Sequence, residues 1–216
     1  MTIYIQRPKD DLPDRVDFDH YPTETDLVLE SLYAVLYGVN MTVKSILDIG
    51  AGSGVWGKTA REICPLANQV DGVEIRETKN PGGFDDWVIA DYLNWTASRD
   101  YDLIVSNPPY KYAEPIIRKA WRELAPGGQM VMLLRLAFAA GVKRYESLWR
   151  EIPLAKLLIV SRRPSFYDRS TNGTDYGVFV WGKDDDGRAL GSPRAWPCEL
   201  LLHQREPLSS KGEGGE

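Results

Sequence analysis

The sequence predicts an α/β fold built on a mostly parallel sheet. Short apolar runs alternate along the chain with segments of helical periodicity, as expected when crossover helices join parallel strands. One apolar run, residues 45–49, leads into the glycine-rich loop 50–54 and then into a helical segment. The chain has 216 residues, 43% of them hydrophobic, which suits one domain with a sizeable core.

The elements follow in order along the chain. A helix around 24–37 precedes strands expected near 45–49, 70–74, 87–90, 102–106, 128–134, 154–160 and 176–182. Further helices are expected over 55–63 and 114–124. Residues 79–83 contain Pro81 and two glycines, so a loop replaces a crossover helix there. Only about fifteen residues join the last two strands, which predicts that they are antiparallel.

The composition bounds the organisation of the chain. One domain is expected over residues 1–182, and the Asp-, Gly-, Pro- and Ser-rich segment 183–216 is expected to be a flexible tail. Cys64 and Cys198 lack histidines at ligand spacing, so neither a disulfide framework nor a metal site is indicated. There is no apolar run of about eighteen residues and no secretion signal. A cytoplasmic protein without a membrane segment is therefore expected, as a monomer or weak dimer.

The sequence Asn-Pro-Pro-Tyr at 107–110 directly follows the apolar run 103–106. Two prolines stiffen the main chain that leaves the strand, so the loop can aim hydrogen-bond acceptors. The Asn107 side-chain oxygen and the Pro108 carbonyl could both accept from one planar amino group, while Tyr110 could lie against its ring. The loop is predicted to bind a planar amine, although Asn-Pro also favours an ordinary turn.

Three successive predicted strands end in carboxylates: Asp48, Glu74 and Asp91. Glu74 lies about twenty residues after the glycine loop, the spacing at which an acid binds ribose hydroxyls. Asp91 could face an adenine amine. Together with glycines that let backbone approach a ligand closely, this pattern indicates a nucleoside-containing ligand.

A phosphate loop is the alternative from a different class of protein. Gly52, Gly57, Lys58 and Thr59 match its pattern, which would make the chain an ATP-binding protein. However, Asp48 at the strand end would repel a polyphosphate. Lys58 and Thr59 are therefore interpreted as ordinary positions of the helix at 55–63.

The glycine loop, the two acids and the Asn-Pro-Pro-Tyr loop occur in the order found in class I S-adenosylmethionine-dependent methyltransferases, which the chain resembles over roughly residues 17–182. The resemblance implies a Rossmann-like fold whose seven-stranded, mostly parallel sheet has an antiparallel last strand. It also implies S-adenosyl-L-methionine as the cofactor. The cofactor-binding positions that it implies are Tyr21, Pro22, Thr23, Asp48, Gly50, Ala51, Gly52, Gly54, Glu74, Ile75, Asp91, Tyr92 and Asn107.

More narrowly, the chain resembles DNA adenine methyltransferases of the phage and prophage orphan type. Residues 19–23 resemble their cofactor-closing segment, and residues 162–166 resemble one that supplies an aromatic ring to the target base. The resemblance implies methyl transfer to the 6-amino group of adenine in DNA by base flipping and in-line attack. It assigns catalysis to Asn107, Pro108, Pro109 and Tyr110, and substrate binding to Tyr110, Phe166, Arg135 and Arg163.

Other substrates stay open for the same loop. The net charge of −5 does not favour phosphate binding, but residues 111–169 carry twelve Lys and Arg against five Asp and Glu. An adenine or guanine amine in RNA is the nearest alternative, because unpaired bases need less extrusion. A protein glutamine ranks third, since that family usually carries an additional N-terminal helical domain. A cofactor-binding module without activity is the remaining alternative.

Overall fold

The computed structural model describes residues 2–4, 23–39, 41–162, 164 and 174–201. These residues form one nine-stranded sheet and the helices that cover it. The strands are β1 (Thr2–Tyr4), β2 (Ser45–Ile49), β3 (Gln69–Glu74), β4 (Asp86–Ile89), β5 (Tyr101–Ser106), β6 (Leu124–Arg135), β7 (Lys156–Val160), β8 (Tyr176–Gly182) and β9 (Cys198–Leu201). The helices are α1 (Thr25–Leu36), α2 (Val55–Ile63), α3 (Ala113–Glu123) and the short α4 (Val142–Arg144).

The strand order is β1-β4-β3-β2-β5-β6-β8-β7-β9. β8 runs antiparallel to β6 and β7, and the other pairs are parallel. The chain moves outward from β2 through β3 to β4 and then returns to the other side of β2 as β5. Ligands of open α/β sheets bind beside the carboxyl ends of the strands at such a reversal. The loops after β2 and β5 therefore meet where a ligand site is expected.

Both faces of the sheet are buried. Alternate side chains of β2 point to opposite faces: Ile46 packs towards α1 and α2, whereas Leu47 packs towards α3. The buried positions of α3 are Ala113, Ile116, Ile117 and Ala120, the spacing of a single apolar helix face. Helices on both faces explain why the central strands are apolar almost throughout rather than alternating.

The α/β fold with a mostly parallel sheet is confirmed, as are the seven predicted strands. A loop replaces the crossover helix between β3 and β4, as expected. β6 begins at Leu124 rather than near 128, because Leu124 pairs with Tyr101 ahead of a register shift. The sequence did not indicate this earlier start, because Pro126 and the left-handed Gly127 are residues typical of a turn.

The two edge strands, β1 and β9, were not predicted. Residues 183–201 were assigned to a flexible tail, but Lys183 forms a bridge with Ala189 and β9 pairs with β7 in parallel. Three of the four β9 side chains are exposed, so the strand lacks an apolar pattern, and its backbone pairing does not require one. Residues 202–216 lie outside the described part. Among the described helices, none has the length and apolar character needed to cross a bilayer.

Candidate active site

The loop between β2 and α2 requires glycine at three positions. Gly50, Gly52 and Gly54 have φ angles of 64°, 58° and 79°, a region that other residues avoid. The amides of Gly50 and Ala51 donate to the Val73 carbonyl at 2.8 and 3.1 Å. The loop is therefore fixed at the carboxyl end of the sheet, over β2 and β3.

Asp48 of β2 stabilises the start of the helix that follows this loop. Its side chain is 1% exposed, and its Oδ2 accepts the Gly57 amide of α2 at 2.8 Å. Burial raises the pKa of Asp48 to about 7, and the charge of Glu74 adds to the effect, while the Gly57 hydrogen bond opposes it. Asp48 therefore anchors the first turn of α2 to β2.

Glu74 ends β3 beside the glycine loop and is 3% exposed. Its Oε2 accepts the Gly52 amide at 2.7 Å, and its Oε1 accepts the Arg76 amide at 3.0 Å and Arg76 Nε at 2.9 Å. Burial alone would raise the pKa of Glu74, but the hydrogen bonds and charge of Arg76, together with the Gly52 amide, lower it overall. Glu74 is thus held in its ionised form at the loop.

These contacts argue against a phosphate loop. The amides of Gly52 and Gly57, which such a loop would offer to phosphate, each donate to a carboxylate instead. Two acids at the loop repel a polyphosphate. Thr59 is 4% exposed, and the described residues contain no cluster of three or more acidic, His or Cys side chains able to hold a metal ion.

The Asn-Pro-Pro-Tyr loop leaves β5 beside the glycine loop. The fully buried Ser106 donates its hydroxyl to the Ile49 carbonyl at 2.7 Å, directly before Gly50. Pro109 is extended, with φ −58° and ψ 128°, and a single 3₁₀ turn, Tyr110–Tyr112, then leads into α3. The tie between Ser106 and Ile49 brings the two loops together at one crevice.

The Asn107 side chain contacts the segment that enters α1. Its Nδ2 donates to Thr23 Oγ1 at 3.1 Å, and Trp56 Nε1 of α2 donates to the same oxygen at 3.3 Å. Thr23 is 8% exposed. One hydroxyl thus lies between α1, α2 and the Asn-Pro-Pro-Tyr loop.

Tyr110 meets Arg135, another predicted substrate residue. The guanidinium carbon of Arg135 lies 4.2 Å from the Tyr110 ring centroid, and the Tyr176 ring lies 6.4 Å away at 42°. Burial, and then the hydrogen bond with Tyr176, raise the pKa of the Tyr110 hydroxyl above its usual value. The ring is therefore neutral and fixed at the crevice, with a cation on one face.

Asp91 and Tyr92 follow β4. Asp91 caps a turn, since its carboxylate accepts the Leu93 amide at 3.0 Å and Asn94 Nδ2 at 3.1 Å. Tyr92 is 5% exposed, and its hydroxyl hydrogen-bonds to Glu123 of α3. The structure therefore places the Tyr92 side chain against α3 rather than beside the glycine loop.

The structure places the remaining expected residues as follows. Ile75 is partly buried directly after Glu74, whereas Tyr21, Pro22, Arg163 and Phe166 lie outside the described residues. The sequence analysis did not identify Arg76, Ser106 or Tyr176. Arg76 had a local signal, a cation two residues after a strand-end acid. The other two act through contacts with residues distant in sequence, which no motif indicated.

The turn after β5 and the segment after β6 both expose aromatic side chains. Ser147 Oγ hydrogen-bonds to Glu114 Oε1 at 3.1 Å, which fixes the segment to the start of α3. Tyr112 and Tyr145 are 39% and 46% exposed, and Lys111 Nζ lies 5.3 Å from the Tyr112 ring centroid. Exposed aromatic rings with nearby cations suit contacts with nucleic acid bases and phosphates.

Comparison with known proteins identifies the family. The family model described as "Methyltransferase small domain" matches residues 23–139. Ribosomal RNA small subunit methyltransferase C of Aliivibrio salmonicida is 31% identical over 104 residues, covering 41% of this chain and 30% of that protein. The tRNA1(Val) (adenine(37)-N6)-methyltransferase of Aeromonas hydrophila is 33% identical over 92 residues, covering 38% and 39%. The chain thus spans well under half the length of both relatives.

Solved structures support the fold. A class I S-adenosylmethionine-dependent methyltransferase from Listeria monocytogenes superposes with a TM-score of 0.64 at 13% identity, covering 87% of this chain and 68% of that one. The methyltransferase subunit of a type I restriction-modification system from Streptococcus thermophilus gives 0.62 at 13% identity, covering 76% and 44%.

The residues at the crevice fit the cofactor of this family. S-adenosylmethionine carries ribose hydroxyls that can donate to a carboxylate and a sulfonium charge that acids favour. Glu74 is an ionised acceptor at the edge of the glycine loop, whose left-handed glycines permit close approach of a ligand. The chain therefore belongs to the methyltransferase small domain family.

Proposed function

We propose that the chain transfers a methyl group to the exocyclic 6-amino group of adenine in DNA. The observation that carries the proposal is the tie between Ser106 and the Ile49 carbonyl, 2.7 Å long. It holds the Asn-Pro-Pro-Tyr loop against the glycine loop. A methyl donor at one loop and an amine at the other then share one crevice.

When bound, S-adenosylmethionine supplies an electrophilic methyl group. The Asn107 side-chain oxygen and the Pro108 carbonyl accept hydrogen bonds from the amine and orient its lone pair towards that methyl group. Pro108 and Pro109 keep these acceptors in place, so little reorganisation is needed during reaction. Holding both reactants in line removes much of the entropic part of the barrier. The N–C bond forms as the C–S bond of the sulfonium breaks and leaves its electron pair on sulfur, and the methylated nitrogen then releases one proton to solvent.

The target base has to reach the crevice from a nucleic acid stack. In a duplex the adenine amine is paired, so the base is flipped out and stacked on an aromatic ring. Tyr110 supplies this ring, and the incoming base replaces the guanidinium of Arg135 on its face. The Arg135 guanidinium then forms a charge-assisted hydrogen bond with a neighbouring phosphate of the nucleic acid.

Adenine in RNA is a second candidate, favoured by the two relatives that are named for modifying ribosomal RNA and adenine 37 of a tRNA. The same two acceptors would serve this substrate. Most residues of the segments that suggested DNA, 19–23 and 162–166, lie outside the described part. The exposed aromatic and basic side chains beside Tyr110 favour either nucleic acid over a protein glutamine.

Methyl-labelled S-adenosylmethionine distinguishes the candidates. The purified chain is incubated with unmethylated duplex DNA, with the same sequence as single-stranded DNA, and with the matching RNA. The nucleosides are then separated and counted. We expect label in N6-methyladenine from DNA. Label only in the RNA sample would establish the second candidate, and label in no sample despite cofactor binding would contradict both.

A further inference from the structure

We propose that Thr23 is a positioning residue that sets the orientation of the Asn107 amide. The inference rests on the proposed role of Asn107 as an acceptor for the substrate amine. Thr23 Oγ1 accepts Asn107 Nδ2 at 3.1 Å across 84 residues of sequence. The resemblance to known methyltransferases implied only a cofactor contact for Thr23.

The orientation of Asn107 decides whether the site can work. An asparagine amide carries an acceptor oxygen on one branch and a donor NH2 on the other. The exocyclic amine of the substrate donates hydrogen bonds, so it needs the Asn107 oxygen as acceptor. If the Asn107 amide turned by 180°, its NH2 group would face the amine, and two donors would repel each other. Because Nδ2 is hydrogen-bonded to Thr23, Oδ1 lies on the branch that faces away from Thr23.

Trp56 holds the Thr23 hydroxyl in place. The indole N–H can only donate, and it donates to Thr23 Oγ1 at 3.3 Å. Trp56 and Thr23 are 4% and 8% exposed, so water contributes little to this arrangement. Thr23 Oγ1 thus accepts one hydrogen bond from α2 and one from the Asn-Pro-Pro-Tyr loop. Its position is set by the backbone of the segment that enters α1.

Thr23→Val tests the proposal, because valine keeps the shape of threonine and removes the oxygen. We expect kcat for methyl transfer to fall about tenfold to a hundredfold, the usual effect of losing one buried hydrogen bond that orients a reacting group. The Kd for S-adenosylmethionine should change less than about twofold, since the effect is on the amine side. Thr23→Ser restores the oxygen and should restore most of kcat. Thermal melts of both variants verify that they are folded.

A double-mutant cycle separates orientation from general support. In an Asn107→Asp background both side-chain oxygens are equivalent, so a 180° turn of the side chain has no consequence. Thr23→Val should then lower kcat much less than it does beside asparagine. An equal fold-loss in both backgrounds would overturn the proposal, as would serine failing to restore activity.

The outcomes also separate this inference from the proposed function. If the wild-type chain methylates no nucleic acid amine, the proposed function fails before any variant is compared. If the wild type is active and Thr23→Val raises the Kd for S-adenosylmethionine at unchanged kcat, Thr23 acts on the cofactor and the inference alone is wrong.

Discussion

The two acids beside the glycine loop differ in pKa because their hydrogen-bond partners differ. Asp48 has one amide donor and no nearby cation among its named contacts, so burial dominates and raises its pKa to about 7. Glu74 is as deeply buried, but Arg76 and the Gly52 amide outweigh burial and lower its pKa. The two neighbouring carboxylates therefore differ in role: Asp48 supports the loop, and Glu74 stays ionised there, where we propose that it accepts hydrogen bonds from the ligand.

Glu74→Gln should weaken cofactor binding by about tenfold or more, because a charged acceptor contributes more to a hydrogen bond than a neutral one. Isothermal titration with S-adenosylmethionine measures the effect. Glu77→Gln removes an exposed acid three residues further along and serves as the matched control. Equal Kd values for the Glu74 variant and the wild type would show that Glu74 does not bind the cofactor.

Asp48 predicts a pH dependence of stability. Burial raises the pKa of Asp48 from its ordinary value of 3.8 to about 7 in the folded protein, so the folded state binds the proton more tightly. The free energy of unfolding therefore loses this contribution as pH rises from about 4 to about 7, by an amount on the order of a few kcal/mol. Asp48→Asn removes the titration and keeps an oxygen for the Gly57 amide.

Thermal unfolding of Asp48→Asn and the wild type at pH 5, 6, 7 and 8 tests this. The Tm of the variant relative to the wild type should rise across the series and level off above pH 7. Other titrating groups are common to both proteins and largely cancel. A constant difference in Tm over the whole range would contradict the assignment.

The loops after β5 and β6 act together at Tyr110, where Arg135 from the end of β6 covers the ring. Arg135→Ala should raise KM for the nucleic acid by about tenfold, through loss of a phosphate contact, and leave the Kd for S-adenosylmethionine unchanged. Arg188→Ala is the charge-matched control. It removes a cation from the turn after β8, whereas Arg135 lies beside the start of β8. If both variants raise KM equally, only general charge is involved.

The predictability of each element follows from where its signal lies. β2 and β5 are mostly apolar runs that are buried on both faces, so composition alone indicates them. β9 shows the opposite case, since it is held by backbone pairing and exposes most of its side chains. The glycine loop and the Asn-Pro-Pro-Tyr loop were predictable because their residues are contiguous in the sequence. Pairs such as Ser106 with Ile49 or Thr23 with Asn107 depend on tertiary placement, which periodicity does not encode.

A count of charged residues does not show which of them are available to bind a nucleic acid. Residues 111–169 carry twelve Lys and Arg against five Asp and Glu, which suggested a phosphate-binding surface. In the structure, Arg118 bonds to Glu114 and Glu151, and Arg144 bonds to the carbonyls of Phe138 and Ala140. These cations stabilise the segment after β6. Arg135 on the Tyr110 ring and Lys111 beside the exposed Tyr112 are better placed to meet a nucleic acid.

The order of strands brings the loops after β2 and β5 to one crevice. β2 and β5 are adjacent although residues 50–100 separate them in sequence, so the glycine loop and the Asn-Pro-Pro-Tyr loop lie side by side. We propose that the glycine loop and Glu74 carry most of the cofactor binding, whereas the Asn-Pro-Pro-Tyr loop orients the amine. Removing the Asn107 amide should therefore slow transfer far more than it weakens cofactor binding.

Single-turnover methyl transfer by Asn107→Ala, measured beside its Kd for S-adenosylmethionine, tests this division most directly. We expect the Kd of the variant for S-adenosylmethionine to stay within about threefold of the wild type, and N6-methyladenine to form at least about a hundredfold more slowly, because one of the two acceptors that orient the amine is gone. Transfer at the wild-type rate by a variant that binds the cofactor normally would contradict the account.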